Sequence, residues 1–200
     1  MREFTCIEHY DALITENNDP ILDAEPLRRY MDKWDGQPFL DMLRLNRNDT
    51  VLEIGVGTGR LALRIAPYCS QYTGIDLSCK TIERGRENLS ALKNAKLICG
   101  DFLFHTFKET FDVIYSSLTF MHIEHKAAAI EKIFRLLNTN GRFILSIDKS
   151  QDTLLKYAER CVKIFPDTKE NIMDVLLKTG FVIEKQSETE FAHLFAAKKP

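Results

Sequence analysis

Basic residues do not outnumber acids in this 200-residue chain: 27 Lys and Arg stand against 29 Asp and Glu, a formal net charge of −2. A protein that grips nucleic acid by neutralising phosphates needs a basic excess, so no nucleic-acid partner is expected. Nor does any apolar run approach the roughly 18 residues of a membrane span. The N-terminal stretch MREFTCIEHYDALI carries acids where a leader peptide would have its apolar centre. No membrane association and a cytoplasmic location are the expectation. The five cysteines, Cys6, Cys69, Cys79, Cys99 and Cys161, are odd in number and form no CxxC pair. They read as a reduced set, not as a disulfide framework. Repeats and low-complexity segments are missing too, and the length suits one domain with a sizeable core.

From Val51 onward, short apolar runs alternate with longer amphipathic ones. Val51–Ile54, Tyr72–Leu77, Ala95–Cys99, Phe111–Ser116 and Phe143–Ile147 read as strands. Between them lie predicted helices over Thr58–Pro67, from a Ser78 cap to about Lys93, and over Lys126–Leu137, the last ended by Asn140-Gly141. Lys169–Lys178 reads as a further helix closed by Gly180, followed by strands Phe181–Glu184 and Phe191–Ala197. Repeated β-α-β units demand a parallel sheet with helices on both faces. The last two strands are joined by about six residues, too few for a crossover, so they form an antiparallel hairpin. The fold class expected is therefore α/β: a doubly wound, seven-stranded, mostly parallel sheet with a C-terminal antiparallel hairpin. Residues 1–48 differ, with amphipathic helices over Ile21–Trp34 and Pro38–Leu45. They are expected to form a helical cap over the domain made by residues 49–200.

Chemistry concentrates around VLEIGVGTGR, residues 51–60, where three glycines fall on alternate positions after the first strand. Glycines let the backbone turn sharply and approach a ligand, and the following helix offers free N–H groups. A phosphate-binding P-loop needs a lysine that this turn lacks. A dinucleotide fingerprint, GxGxxG/A, needs Gly or Ala where Arg60 stands. Three acids occupy successive strand ends: Glu53, Asp76 and Asp101. Asp76, 17 residues past Gly59, is placed to accept both hydroxyls of a ribose. Capping of a helix terminus is the plainer role for such an aspartate. Three acids and a glycine turn suit a nucleoside with cationic groups and suit a pyrophosphate poorly.

On these residues the chain resembles the class I S-adenosylmethionine-dependent methyltransferases, particularly the small type 11 group. VLEIGVGTGR matches the family's glycine motif, YTGIDLS its ribose-binding acid and LICGDF its adenine-binding segment. FDVIYSSLTFMHI and LLNTNGRFILSI match the fourth and fifth strands, so the likeness covers roughly residues 50–197. The resemblance implies S-adenosyl-L-methionine as cofactor and S-adenosyl-L-homocysteine as product. Gly55, Gly57 and Gly59 would run along its methionine portion, with Glu53 nearby. Asp76 would hold the ribose, Leu77 would lie against the adenine, and Asp101 with Phe102 would meet its amino edge. Ser116 and Ser117 would serve the amino-acid end or the floor beneath the methyl group.

A sulfonium methyl is already electrophilic, so alignment of the acceptor matters most, and a base is needed only if the acceptor arrives protonated. His122 is the candidate base or orienter, weighed against an ordinary polar residue at a helix start. With His125 it makes two histidines lacking a third matched ligand, so no metal is expected. Tyr10 and Trp34 are placed to reach the cofactor or substrate from the cap, or to act as hydrophobic anchors. The Asn-Pro-Pro-Tyr/Phe pattern that accompanies methylation of planar nitrogens is missing; Ser116-Ser117-Leu118-Thr119 stands there. The expected function is methyl transfer to a small-molecule acceptor by direct in-line displacement. The rivals are a non-catalytic, cofactor-binding regulatory module and an NAD(P)-dependent oxidoreductase.

Overall fold

Alternating burial sets the frame in the computed structural model, which describes residues 1–200. Strand β1 (Arg2–Phe4) precedes helices α1 (Cys6–Thr15), α2 (Glu25–Met31) and α3 (Gly36–Leu43). Strands β2 (Thr50–Ile54), β3 (Gln71–Asp76), β4 (Ala95–Cys99), β5 (Phe111–Ser116) and β6 (Leu137–Asp148) follow, with α4 (Ala62–Ile65), α5 (Cys79–Asn88) and α6 (Lys126–Leu136) among them. The chain closes with β7 (Leu154–Tyr157), β8 (Arg160–Lys163), α7 (Lys169–Thr179), β9 (Val182–Glu188) and β10 (Ala192–Lys198).

Seven strands form one sheet in the order β4-β3-β2-β5-β6-β10-β9. The first five are parallel, while β10 runs antiparallel to both β6 and β9. This is the α/β architecture expected from the sequence, terminal hairpin included. Along β2, Val51 turns toward Phe39, Ala62, Ile65 and Ile82 on one face. Leu52 and Ile54 turn toward Ile130, Ile133, Ile172 and Leu176 on the other. Both faces are thus covered, as near-continuous apolar parallel strands require. From β2 the chain winds outward through β3 and β4, then returns to place β5 on β2's other side. The β2–β5 boundary is a topological switch point, where open α/β sheets leave a crevice at the strands' carboxyl ends. No helix is long and apolar enough to cross a membrane.

Several local expectations give way. The helix after the glycine turn begins only at Ala62 and becomes a 3-10 turn at Ala66–Tyr68. The backbone first has to leave the positive-φ glycines, and Pro67 removes an N–H donor. Helix α5 stops at Asn88, not near Lys93. Helix α6 ends at Leu136 and β6 begins at once, so the left-handed Asn140 (φ 65°) lies within that strand and does not close the helix. A Cβ on Gly141 would stand 2.8 Å from the Asn138 carbonyl, so close packing is what requires that glycine. The first fifty residues are not purely helical, because β1 joins β8 and β7 in a separate three-stranded sheet. Residues 154–163 therefore complete the layer that α1 begins, with buried Arg160 donating to His9 Nδ1 at 3.1 Å and pairing with Glu16. The cysteines are not all reduced: Cys79 and Cys99 form a disulfide, leaving Cys6, Cys69 and Cys161 free. Parallel pairing sets Asp76 opposite Cys99, which brings the end of β4 beside the start of α5.

Candidate active site

The carboxyl ends of β2, β3, β4 and β5 open into a cavity of about 550 Å³, roofed by α1 and residues 117–125. Local geometry starts with the turn after β2. Gly55, Gly57 and Gly59 all have positive φ, 81°, 55° and 99°. A Cβ on Gly55 would fall 1.9 Å from Thr119 Oγ1, whereas a Cβ on Gly57 would meet nothing within 4 Å. The first glycine is dictated by packing, and the second faces open space.

Asp76 lies on the cavity wall at the end of β3. Its Oδ2 accepts from Gly57 N–H and its Oδ1 from Ser78 N–H, each at 3.0 Å. Burial raises its pKa above the usual aspartate value, opposed by these backbone donors. A carboxylate has about four acceptor positions, so a ligand's donors can still be met. Leu77, Asp101 and Phe102 line the same wall. Asp101 Oδ1 accepts from Leu103 N–H at 2.7 Å, while Lys132 Nζ donates to the carbonyls of Phe102 (2.6 Å) and Leu103 (3.1 Å). That lysine anchors the loop beneath the acid.

Glu53 is 3% exposed at the cavity floor. The hydroxyls of Tyr72 and Tyr115 both donate to its Oε2, the latter at 2.7 Å. Burial pushes its pKa up to about 8, against the lowering effect of those two hydroxyls. Near neutral pH this carboxyl is held mostly protonated. Ser117 is on the cavity wall and donates to Asp35 Oδ2 at 2.8 Å. Ser116 is not on that wall: it is fully buried, its Oγ donating to the Ile54 carbonyl at 2.9 Å.

Tyr10 and His122 meet across the cavity, Oη to Nε2 at 2.9 Å. Burial lowers the His122 pKa to about 4, so the imidazole stays neutral over the physiological range. Its Nδ1 is buried with no hydrogen-bond partner. Trp34 is elsewhere, its Nε1 donating to Asp148 Oδ2 at 2.7 Å and its ring packed on Phe191. Phe120 is core, tilted against Phe143.

Three aspartates not singled out in the sequence tie the cap to the site. Asp35, 0% exposed, receives both terminal nitrogens of Arg60, at 3.1 and 2.5 Å. Asp19, also buried, accepts from Thr58 Oγ1 at 2.7 Å and Asn88 Nδ2 at 3.0 Å. Asp11 accepts from Ser78 Oγ at 2.6 Å. The Arg60, Thr58, Asn88 and Ser78 partners just named are 25 to 69 residues away in the chain, so no local motif announces these contacts. Cys6 also lines the cavity, and burial, aided by the charge of Asp76, pushes its thiol up to about 12.

Residues 45–196 match a methyltransferase-domain family. An uncharacterised methyltransferase of Staphylococcus carnosus is 25% identical, covering 95% of this chain and 94% of that protein. A phosphoethanolamine N-methyltransferase of Triticum aestivum is 33% identical over 54% of this chain, the match spanning 22% of that protein's length. Among solved structures, the N-methyltransferase NodS of Bradyrhizobium japonicum, in complex with S-adenosyl-L-homocysteine, superposes with a TM-score of 0.73. At 18% identity over 97% of this chain and 98% of that one, the likeness is one of fold. Matched over most of its length, the chain belongs to the class I S-adenosylmethionine-dependent methyltransferase family.

Proposed function

We propose that this protein binds S-adenosyl-L-methionine in the β2–β5 crevice and directs its methyl group to a small-molecule acceptor held beneath α1. The observation that carries this reading is the open space above Gly57, flanked by Asp76 and Asp101 at adjacent strand ends and enclosed by the cap. When bound, the cofactor supplies an electrophilic methyl group on a sulfonium. The backbone of the glycine turn admits the ligand closely, because no Cβ stands over Gly57. Asp76 accepts from ribose hydroxyls, Asp101 accepts from the adenine amino group, and Leu77 with Phe102 supplies apolar contact. Glu53 and Ser117 meet the amino-acid end. Enclosure by α1 and residues 117–125 excludes water, so that orientation rather than protonation chemistry supplies the rate. His122, neutral and bonded to Tyr10, is suited to orienting an acceptor; its depressed pKa makes it a weak proton acceptor.

Calorimetric titration with S-adenosyl-L-homocysteine tests the foundation. Binding in the micromolar range is expected, and Asp76→Ala should weaken it by about 1–3 kcal/mol through lost hydrogen bonds. Unchanged affinity in that variant would remove the ribose from Asp76.

A further inference from the structure

The charge on the cavity wall restricts what the acceptor can be. Of the residues lining it, Arg60 is the only lysine or arginine. That guanidinium is committed, because both its terminal nitrogens bond the fully buried Asp35. Turning Arg60 toward an anionic ligand would strand a carboxylate with no compensating charge, which is among the costlier events in a protein interior. The other side chains with charge on this wall are acids: Asp76, Asp101 and the exposed Glu124 at the rim. His125 is exposed at the same rim. On the cap side the lining is apolar, from Leu13 and Ile14 of α1, Met31, Leu118 and Ile123. The polar groups on that surface are the Tyr10–His122 pair, Asn18 and Thr119. Asn18 Nδ2 donates to Tyr157 Oη at 2.8 Å and Thr119 Oγ1 to the Ser117 carbonyl at 3.0 Å, which leaves Tyr10–His122 as the pair that meets across the cavity. An apolar wall with few convergent polar groups is the pattern of a pocket for a largely apolar ligand. A phosphate or carboxylate there would lose its hydration and find no free cationic side chain in return.

Resting on the cofactor reading above, we propose that the methyl acceptor is an uncharged, largely apolar molecule presenting one polar group to the Tyr10–His122 pair, and that phosphorylated or carboxylated molecules are rejected. The cavity thereby departs from what the name of the wheat relative implies for that protein, whose acceptor carries a phosphate. Discrimination comes from the absent counter-charge, and no added repulsive device is needed.

The test uses the intact protein loaded with S-adenosyl-L-homocysteine and two probes of matched ring structure, 2-naphthol and 2-naphthyl phosphate. Loading is itself a calorimetric titration, and its failure would overturn the cofactor reading separately from the acceptor inference. With loading complete, 2-naphthol should bind at least about tenfold more tightly than 2-naphthyl phosphate, a difference of about 1.4 kcal/mol. Equal or tighter binding of the phosphate would overturn the inference. So would failure of 2-naphthol to bind the loaded protein at about 1 mM, near the weak end of measurable affinity.

Discussion

Alanine at Gly55 and at Gly57 should separate packing from ligand access, although the two glycines are neighbours in one turn. Both have positive φ, 81° and 55°, a region that costs an L-residue roughly 1–2 kcal/mol. At Gly57 that is the whole cost, because the new methyl group meets nothing within 4 Å. At Gly55 the methyl would arrive 1.9 Å from Thr119 Oγ1 and 2.6 Å from Thr119 Cβ. Thr119 or the turn must move, which adds about 1–3 kcal/mol on the scale of overpacked cores. Gly55→Ala should therefore lose roughly 2–5 kcal/mol of unfolding free energy and Gly57→Ala roughly 1–2. Cofactor affinity should rank the other way for its cause. The Gly57→Ala methyl occupies space assigned to the ligand, so a folded, nearly wild-type protein should bind S-adenosyl-L-homocysteine about tenfold more weakly or worse. Urea unfolding monitored by circular dichroism gives the first quantity, and calorimetric titration the second. Wild-type affinity in Gly57→Ala would refute the placement of the cofactor over this turn. Equal stability of the two variants would refute the account of Gly55.

Titration and redox state supply further tests. His122 has a folded pKa of about 4 against 6.5 unfolded, so the unfolded chain takes up its proton first as pH falls. Its contribution is present above pH 6.5 and lost toward pH 4, about 2 kcal/mol by pH 5. His9 is shifted in the same direction by burial and then by Arg160, so the His122 share is the part of the slope that His122→Asn abolishes in urea titrations at pH 7 and 5. An unchanged slope in that variant would contradict the burial of a neutral imidazole. Glu53 behaves oppositely: with a folded pKa of about 8 against 4.5 unfolded, its contribution is present at low pH and fades as pH rises through that interval. Glu53→Gln should gain on the wild type between pH 5 and pH 8, on the order of 2–4 kcal/mol, as read by chemical denaturation at both values. A constant difference would mean that Glu53 ionises normally. The Cys79–Cys99 bond predicts that alkylation in denaturant labels three cysteines before reduction and five after it, as counted by mass spectrometry. Reduction should lower stability by about 3 kcal/mol for a loop of this length, and labelling of all five without reductant would disprove the bond.

The central sheet was readable because parallel strands buried on both faces are short apolar runs, and each loop length fixes whether its neighbours run parallel. The same reasoning was blind to β1, β7 and β8, which are three or four residues long, the first two largely exposed. The β1–β8 pairing joins distant parts of the chain, setting Arg2 beside Arg160, while β7 and β8 pair locally as a short antiparallel hairpin. Helix α1 does carry a local signal in the sequence. Thr5 and Glu8 form a reciprocal capping box, a pattern visible as T-x-x-E. The disulfide was invisible for another reason: spacing could not reveal it, because it depends on β3 and β4 pairing in the register that sets Asp76 beside Cys99.

Arg60 joins these two levels of legibility. In the sequence it was the residue that spoiled a dinucleotide fingerprint, and so it helped to select the ligand by exclusion. In the folded chain it is the countercharge of Asp35, 18% exposed against 0%. Replacing it by the small residue a dinucleotide site prefers would leave Asp35 buried and unpaired, a cost on the order of 3–5 kcal/mol. Asp35 also caps the start of α3 by accepting from Gly36 N–H and holds Ser117 at the end of β5. One ion pair therefore fixes the cap, the glycine turn and the β5 end relative to one another. It also removes from the cavity the one fixed positive charge that an anionic acceptor would require. The exclusion of a dinucleotide read from the sequence and the proposed rejection of an anionic acceptor thus both turn on Arg60.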